Sequence, residues 1–291
     1  MSFFGLSSQI YILLVVAFIS SQRRSGGFAV GDAVEVTKGS VFTWMLIDEQ
    51  RRIILDWTPK SACSKVVEMF YEQMGIHRGV HYTGFIHDYR TNHMPNYTKV
   101  TESMLYDPAF YKFKVTRNPY DRAVSSYIHS MSYSLIKDQI FRDKSEYLQD
   151  KEHTSFTRFL EWFLESKDFE DGGHFHMQSH PHEHERWQQG RVSIFNRIVK
   201  VEEFDSGIKL VNVDKSTNYS YPANDDHHYH VHNVSMTEYA GDTPISKLLE
   251  MPILPPYRCF YNAKTRLLVQ QIFQWDLLLY DYAFPTDWVS F

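Results

Sequence analysis

Cysteine is scarce in this sequence, since Cys63 and Cys259 are the only two among 291 residues. A framework of disulfides needs more cysteines than this, so a disulfide-held scaffold is excluded. A surplus of positive charge is absent too, because the formal net charge is -5. A general nucleic-acid binder needs a broad basic surface, and we therefore predict no nucleic-acid partner. Any bound anion must then be held by a local cluster of cationic side chains.

The N-terminal apolar stretch, residues 10–19 (IYILLVVAFI), is shorter than the ~20 residues that a membrane-spanning helix needs. Its length is typical of a secretory signal, yet no Lys or Arg precedes it and an Arg-Arg pair follows it. A signal, a short single-pass anchor and a buried N-terminal strand or arm all stay open. Glycosylation sequons begin at Asn96, Asn218 and Asn233, which is compatible with a glycoprotein in the lumen of the secretory pathway.

One large domain accounts for most of the chain. Hydrophobic residues make up 43% of it and aromatic residues 16%, which is enough to bury a substantial core. A flexible join is indicated at residues 22–33 (QRRSGGFAVGDA). We therefore predict a signal-like or anchor-like segment with a short linker over residues 1–33, and a single domain over residues 34–291.

Strands alternate with helices along this domain. Strand-like patterns predict strands at residues 41–47, 53–57, 79–86, 111–115 and 197–201, and residues 111–115 (YKFKV) alternate apolar with charged positions. Helical spacing predicts helices at residues 64–74, 119–131, 155–165 and 263–279. The alternation predicts an α/β fold with three αβα layers around a central, mainly parallel sheet. Ligands of such sheets bind at the carboxyl ends of the strands.

The first strand-to-helix turn has the composition of an anion cradle. It reads Pro59, Lys60, Ser61, Ala62, Cys63, Ser64 and Lys65. Free amides and the dipole of the following helix favour a phosphate or sulfate, and the hydroxyl and ammonium groups add charge-assisted hydrogen bonds. The loop GxxxxGK[ST] is absent, which weighs against an ordinary ATPase or GTPase. An ordinary surface turn stays open, and Cys63 is interpreted as a small packing residue.

A second turn joins residues 111–115 to the helix that starts at Pro119. Arg117 lies at the end of the strand, and Ser125 follows two helical turns later. The Arg117 guanidinium can bind a phosphate through two parallel hydrogen bonds, and the Ser125 hydroxyl can add a third. A salt-bridging Arg117 and a packing Ser125 are the alternative.

Taken together, the two turns resemble those of the Golgi-type carbohydrate sulfotransferases, which use 3′-phosphoadenosine 5′-phosphosulfate (PAPS). Residues 59–64 match the family pattern PK-x-[AG]-[CS]-[ST], and residues 117–127 match R-[DHN]-P-[FY]-x-R-x-x-S-x-Y. Weaker similarity continues through residues 174–178, 198–204 and 261–284, with Met177 where the family has Pro. The resemblance implies a P-loop-like fold in which residues 59–65 hold the 5′-phosphosulfate and Arg117 and Ser125 hold the 3′-phosphate.

The resemblance also implies the reaction. A sulfuryl group passes from PAPS to a hydroxyl or amino group of a glycan, such as a glycosaminoglycan, and adenosine 3′,5′-bisphosphate is released without a metal. Lys60 is predicted to neutralise charge on the leaving oxygen. His87 is the preferred general base, with His81 and His174 as alternatives. His81, His174 and Gln178 are the candidate acceptor-binding residues.

Three alternatives stay open at this stage. The histidine-rich residues 174–184 and 227–232 offer metal ligands, but their alternating spacing lacks the helical arrangement of zinc hydrolases, and we predict no metal. A divergent nucleotide kinase would use the same fold with ATP. A non-catalytic glycan-binding protein would keep the fold without turnover.

Overall fold

A computed structural model of the chain describes residues 45–76, 86–93, 99–132, 153–166, 174–220 and 238–288. These residues belong to one structural unit, residues 42–291. The predicted N-terminal segment and the candidate base His81 lie outside the described residues. Within the described ranges, no helix is both long and apolar enough to cross a membrane.

The described strands form a four-stranded sheet in the order β1, β2, β3, β4. They are β1 (Met45–Asp48), β2 (Ile53–Trp57), β3 (Tyr111–Thr116) and β4 (Arg197–Lys200). The β1 strand pairs antiparallel to β2 through a short turn, whereas β2 with β3 and β3 with β4 are parallel. The predicted mainly parallel sheet is therefore confirmed.

Helices occupy most of the rest of the described chain. They are α1 (Cys63–Gln73), α2 (Ile86–His93), α3 (Glu102–Tyr106), α4 (Pro119–Ser132), α5 (Phe156–Ser166), α6 (Pro181–Gln188), α7 (Phe204–Lys215), α8 (Ile245–Glu250), α9 (Ala263–Ile272) and α10 (Gln274–Leu279). Short 3₁₀ turns occur at Val201–Glu203 and Tyr257–Phe260.

Helices cover both faces of the sheet. Alternate strand residues point to opposite sides, and apolar residues on each side of β2 pack against helices. Leu55 and Trp57 of β2 pack in one cluster with residues of α1 and α7. Ile54 packs on the other face in a cluster that contains Leu105 of α3. This arrangement confirms the predicted three-layer fold. A further aromatic-rich cluster joins α4, α5, α8 and α9 beside the sheet.

Local signals in the sequence fix two of the helix ends near the site. The backbone N–H of Tyr120 donates to the Asn118 side chain at 3.1 Å, so Asn118 caps α4 and Pro119 is its first residue, as predicted. After α1, Gly75 has φ +72°, the left-handed conformation predicted for the residue beyond a helix end.

Two predicted elements are wrong in part. Ile86 was assigned to the end of a strand, but it is the first residue of α2, so His87 lies in the first turn of a helix. The single helix predicted at residues 263–279 divides into α9 and α10 at Phe273, whose φ and ψ are -108° and 30°. Apolar spacing continues through the break, which explains why the pattern does not show it.

Candidate active site

The two predicted turns meet at the carboxyl edge of the sheet. Neighbouring parallel strands β2 and β3 end side by side, and each leads into one turn. The Arg117 guanidinium donates a hydrogen bond to the carbonyl oxygen of Lys60 at 3.1 Å. Arg122 of α4 donates from Nε to the carbonyl oxygen of Pro59 at 3.0 Å. Both arginines of the second turn are thus bonded to the backbone of the first.

The first turn adopts glycine-like backbone angles without containing glycine. Lys60 has φ +69° and Ala62 has φ +56°. Left-handed angles cost about 1–2 kcal/mol for residues with a Cβ atom, so the surrounding contacts must hold them in place. The Ser61 N–H donates to the Thr58 carbonyl at 3.1 Å, and α1 begins directly afterwards. Strained backbone of this kind is concentrated at functional sites.

Positive charge is concentrated around this turn. Burial lowers the pKa of Lys60, and the neighbouring Arg117 and Arg122 lower it further. Arg122 is 1% exposed, and burial lowers its pKa to about 10 against the opposing influence of Asp276. Its Nη1 atom is buried and has no hydrogen-bond partner among the described residues. Cationic groups so placed fit an anionic ligand, which would compensate their burial.

Three histidines lie within the electrostatic influence of Lys60. Burial lowers the pKa of His87 to about 3, and Arg90 and Lys60 contribute. Burial likewise lowers the pKa of His174 to about 3 and that of His129 to about 4, again with a contribution from Lys60. All three are therefore neutral near pH 7, which is the form that accepts a proton.

Ring stacking fixes these histidines. His87 stacks on Trp57, the last residue of β2, with ring centroids 4.9 Å apart. His174 stacks on His129 at 4.7 Å. Reasoning from sequence missed His129, although its position four residues after Ser125 places both on one side of α4 and gave a usable signal.

Gln178 is buried between the two turns. Its side-chain oxygen accepts hydrogen bonds from the Ser61 hydroxyl and the Arg117 N–H, both at 2.7 Å. The Asp276 carboxylate of α10 accepts a 2.9 Å bond from the Gln178 N–H. The structure therefore places Gln178 inside the protein, and its predicted contact with the acceptor stays a prediction.

The remaining predicted site residues are Cys63, Ser64 and Lys65 in the first turn of α1, and Ser125 in the middle of α4. Cys63 and Ser64 are half-buried, and Lys65 is buried. Cys63 packs against the cluster that contains Val66 and Trp57, in keeping with its interpretation as a packing residue. Ser125 is half-buried on α4, and the adjacent Ser126 donates to the His174 carbonyl at 2.8 Å.

A buried ion cluster lies next to these turns, and sequence reasoning did not predict it. Lys114 of β3 pairs with Asp56 of β2 at 2.8 Å and with Glu183 of α6 at 2.7 Å. The Tyr280 hydroxyl donates to Glu183, and the His180 ring lies 2.9 Å from Asp56. The cluster joins both strands to α6 and to the C-terminal residues. Two of its members, Asp56 and Lys114, lie near the ends of the strands from which the two turns begin.

No group of three or more His, Cys, Asp or Glu residues in the described ranges is arranged to hold a metal ion. The histidines of residues 227–232 lie outside those ranges.

The chain belongs to the sulfotransferase family, because the model of that family matches residues 44–283. It is therefore an enzyme of the sulfuryl-transfer class, and the resemblance seen in its two turns is confirmed at this level. No curated protein and no solved structure gives a significant match to the chain.

Proposed function

We propose that the protein transfers a sulfuryl group from PAPS to a hydroxyl or amino group of a glycan, releasing adenosine 3′,5′-bisphosphate. The observation that carries the proposal is the direct bond between the two cationic turns, Arg117 Nη1 to Lys60 O at 3.1 Å. Two cationic turns held at a fixed separation suit a nucleotide that is anionic at both of its ends. Family membership favours PAPS over the ATP of a nucleotide kinase.

Each of the two turns would bind one end of the donor. When bound, PAPS supplies an activated sulfuryl group attached to a phosphate leaving group. Lys60 and the amides at the start of α1 provide positive charge for the 5′ end of the donor. Arg117 and Ser125 hold the 3′-phosphate, and the unpaired Nη1 of Arg122 adds a further donor between the two turns.

His87 is the proposed general base. Burial, Arg90 and Lys60 lower its pKa to about 3, so the ring is neutral at physiological pH. A general base works best with a pKa near the operating pH, so the role requires the bound anionic donor to offset the Lys60 charge and raise that pKa. The stack on Trp57 restricts the orientation of the ring beside the Lys60 turn. His174, stacked on His129, is the second candidate.

The turn motifs support a glycan acceptor, and an exposed glycosylation sequon supports a lumenal location. The two turn motifs resemble those of carbohydrate sulfotransferases, and Asn218 of one sequon is exposed in the structure. Expression in cultured animal cells, followed by endoglycosidase digestion, tests the location. A mobility shift that Asn218→Gln diminishes supports it, and the absence of any shift contradicts glycosylation at this sequon.

Radiolabelled sulfate transfer tests the reaction. The full chain is incubated with ³⁵S-labelled PAPS and separate glycosaminoglycan and neutral glycan acceptors. We expect label to enter at least one glycan. We also expect the melting temperature of the protein to rise more with adenosine 3′,5′-bisphosphate than with ADP. A larger rise with ADP would contradict the donor. Clear bisphosphate binding without transfer to any glycan would contradict the acceptor class alone.

A further inference from the structure

Gln178 contacts both halves of the proposed donor site. Its Oε1 atom accepts from the Ser61 hydroxyl and from the Arg117 N–H at 2.7 Å. Its Nε2 atom donates to the Arg117 carbonyl oxygen at 2.8 Å. The side chain is 0% exposed. The amide is therefore fully engaged inside the protein, where it links one turn to the other.

The partners of Gln178 explain why the residue is a glutamine. The Arg117 N–H can only donate and the Arg117 carbonyl can only accept, so the bridging group needs an acceptor atom beside a donor atom. A carboxylate has the acceptor but lacks the donor. An amide provides both in one plane, and its orientation here is fixed by these complementary partners.

Asp276 anchors Gln178 from the opposite side. Its carboxylate accepts bonds from the Gln178 N–H at 2.9 Å and from the N–H and hydroxyl of Ser179, both at 2.8 Å. Asp276 is 0% exposed and belongs to α10. Gln178 is thus also held by a helix that is separate from either turn.

We propose that Gln178 is a positioning residue that sets the separation of the Lys60 turn and the Arg117 turn, and not a contact for the acceptor. The proposal rests on the proposed donor, whose two anionic ends each turn would hold. A prearranged pair of half-sites binds a two-ended ligand tightly, because the second end binds without first ordering its half-site. The contribution of Gln178 should therefore appear as coupling between the ends of the ligand.

Calorimetric titration of the full chain measures this coupling with three probes: adenosine 3′,5′-bisphosphate, 5′-AMP and 3′-AMP. In the unmodified protein, we expect the bisphosphate to bind more tightly than either mononucleotide. In Gln178→Ala, we expect each mononucleotide affinity to change by no more than about twofold. The bisphosphate gain is the affinity for the bisphosphate divided by the affinity for the tighter of the two mononucleotides. We expect this gain to fall by about tenfold or more in Gln178→Ala, because the two half-sites are no longer held in register.

Ser179→Ala is the matched control. It removes a 2.8 Å bond to the same Asp276 carboxylate, and the other partner of its hydroxyl, the His184 ring of α6 at 2.8 Å, lies outside both turns. We expect it to lower the melting temperature while keeping the bisphosphate gain. Should Gln178→Ala not fold, Ser61→Ala removes the 2.7 Å bond from Ser61 to Gln178, and we expect a partial loss of the gain. Ser61 also belongs to the predicted 5′-phosphosulfate loop, so the affinity of Ser61→Ala for 5′-AMP is measured beside its affinity for the bisphosphate.

Two outcomes would overturn the positioning role. One is an unchanged bisphosphate gain in the Gln178→Ala protein, or in Ser61→Ala if that variant alone folds. The other is an equal loss of the gain in Ser179→Ala, which would show that general destabilisation is responsible. A failure of the proposed function gives a different result: the unmodified protein then binds the bisphosphate no more tightly than 5′-AMP.

Discussion

The Arg117 guanidinium bonds to the carbonyl oxygen of Lys60 at 3.1 Å, although the two residues are 57 positions apart in the chain. Two cationic side chains are thereby held at one edge of the sheet. Like charges repel each other, and burial, followed by the Arg117 charge, lowers the pKa of Lys60. A bound anion relieves this repulsion, so the geometry is arranged for an anionic ligand.

Lys60→Ala should lower kcat by roughly 100- to 1,000-fold, because it removes the charge proposed to stabilise the leaving oxygen. Initial rates of transfer from labelled PAPS measure the effect, and the melting temperature checks folding. Lys209→Ala, an exposed lysine of α7, is the control and should keep full activity. Full activity of Lys60→Ala would remove Lys60 from the mechanism.

Arg117→Ala should weaken binding of adenosine 3′,5′-bisphosphate by roughly 10- to 100-fold, since about 1.5–3 kcal/mol of charge-assisted hydrogen bonding is lost. Binding of 5′-AMP should change much less, because it lacks the 3′-phosphate. Arg117→Lys keeps the charge without the planar fork, and we expect an intermediate affinity. Equal loss for both nucleotides would contradict the assignment of Arg117 to the 3′ end.

Stability should fall as the pH drops below 6.5. Burial depresses the pKa values of His87, His129 and His174 to about 3, 4 and 3. In the unfolded chain histidine titrates near 6.5, so between that pH and about 4 the unfolded state binds more protons than the native state. Asp121, whose pKa burial raises to about 6, opposes this trend with one group.

Urea unfolding at pH 7.5, 6.5, 5.5 and 4.5 measures the trend. We expect the free energy of unfolding to decline steadily below pH 6.5, and His129→Gln to show a shallower decline because one titrating group is removed. A free energy that stays constant or rises toward pH 4.5 would contradict the buried neutral histidines.

Lys114→Met should destabilise the protein by about 3–5 kcal/mol, because Asp56 and Glu183 would then be buried without their cation. Urea unfolding at pH 7 measures the change. Lys264 pairs with Glu161 at the surface, and its side chain is 60% exposed. Lys264→Ala should therefore cost about 1 kcal/mol or less. Similar losses in the two variants would show that the buried cluster adds no more than a surface pair.

Apolar patterning was sufficient to predict the four strands and about half of the described helices, namely α1, α4, α5 and, without their break, α9 and α10. The helices α2, α3, α6, α7 and α8 were not predicted. Residues 53–57 form β2 as predicted, since the apolar run Ile53-Ile54-Leu55 is typical of a strand buried on both faces. In β3, the alternation of Lys112 and Lys114 with apolar residues is more typical of a strand with one solvated face. Both lysines are buried, and long-range carboxylates explain Lys114.

The site was predictable only where residues lie close together in sequence. The cationic turns were found from local composition and helix-start signals. The left-handed angles of Lys60 and Ala62 were not, because such angles normally indicate glycine. The bridge through Gln178 was missed because its partners Ser61 and Arg117 are 117 and 61 positions away, and no local pattern reports such pairing.

A crystal structure of the full chain with adenosine 3′,5′-bisphosphate tests the central claim most directly. The account predicts one nucleotide with its 5′-phosphate against Lys60 and the amides of α1, and its 3′-phosphate against Arg117 and Ser125. A nucleotide bound away from either turn, or contacting only one of them, would contradict it.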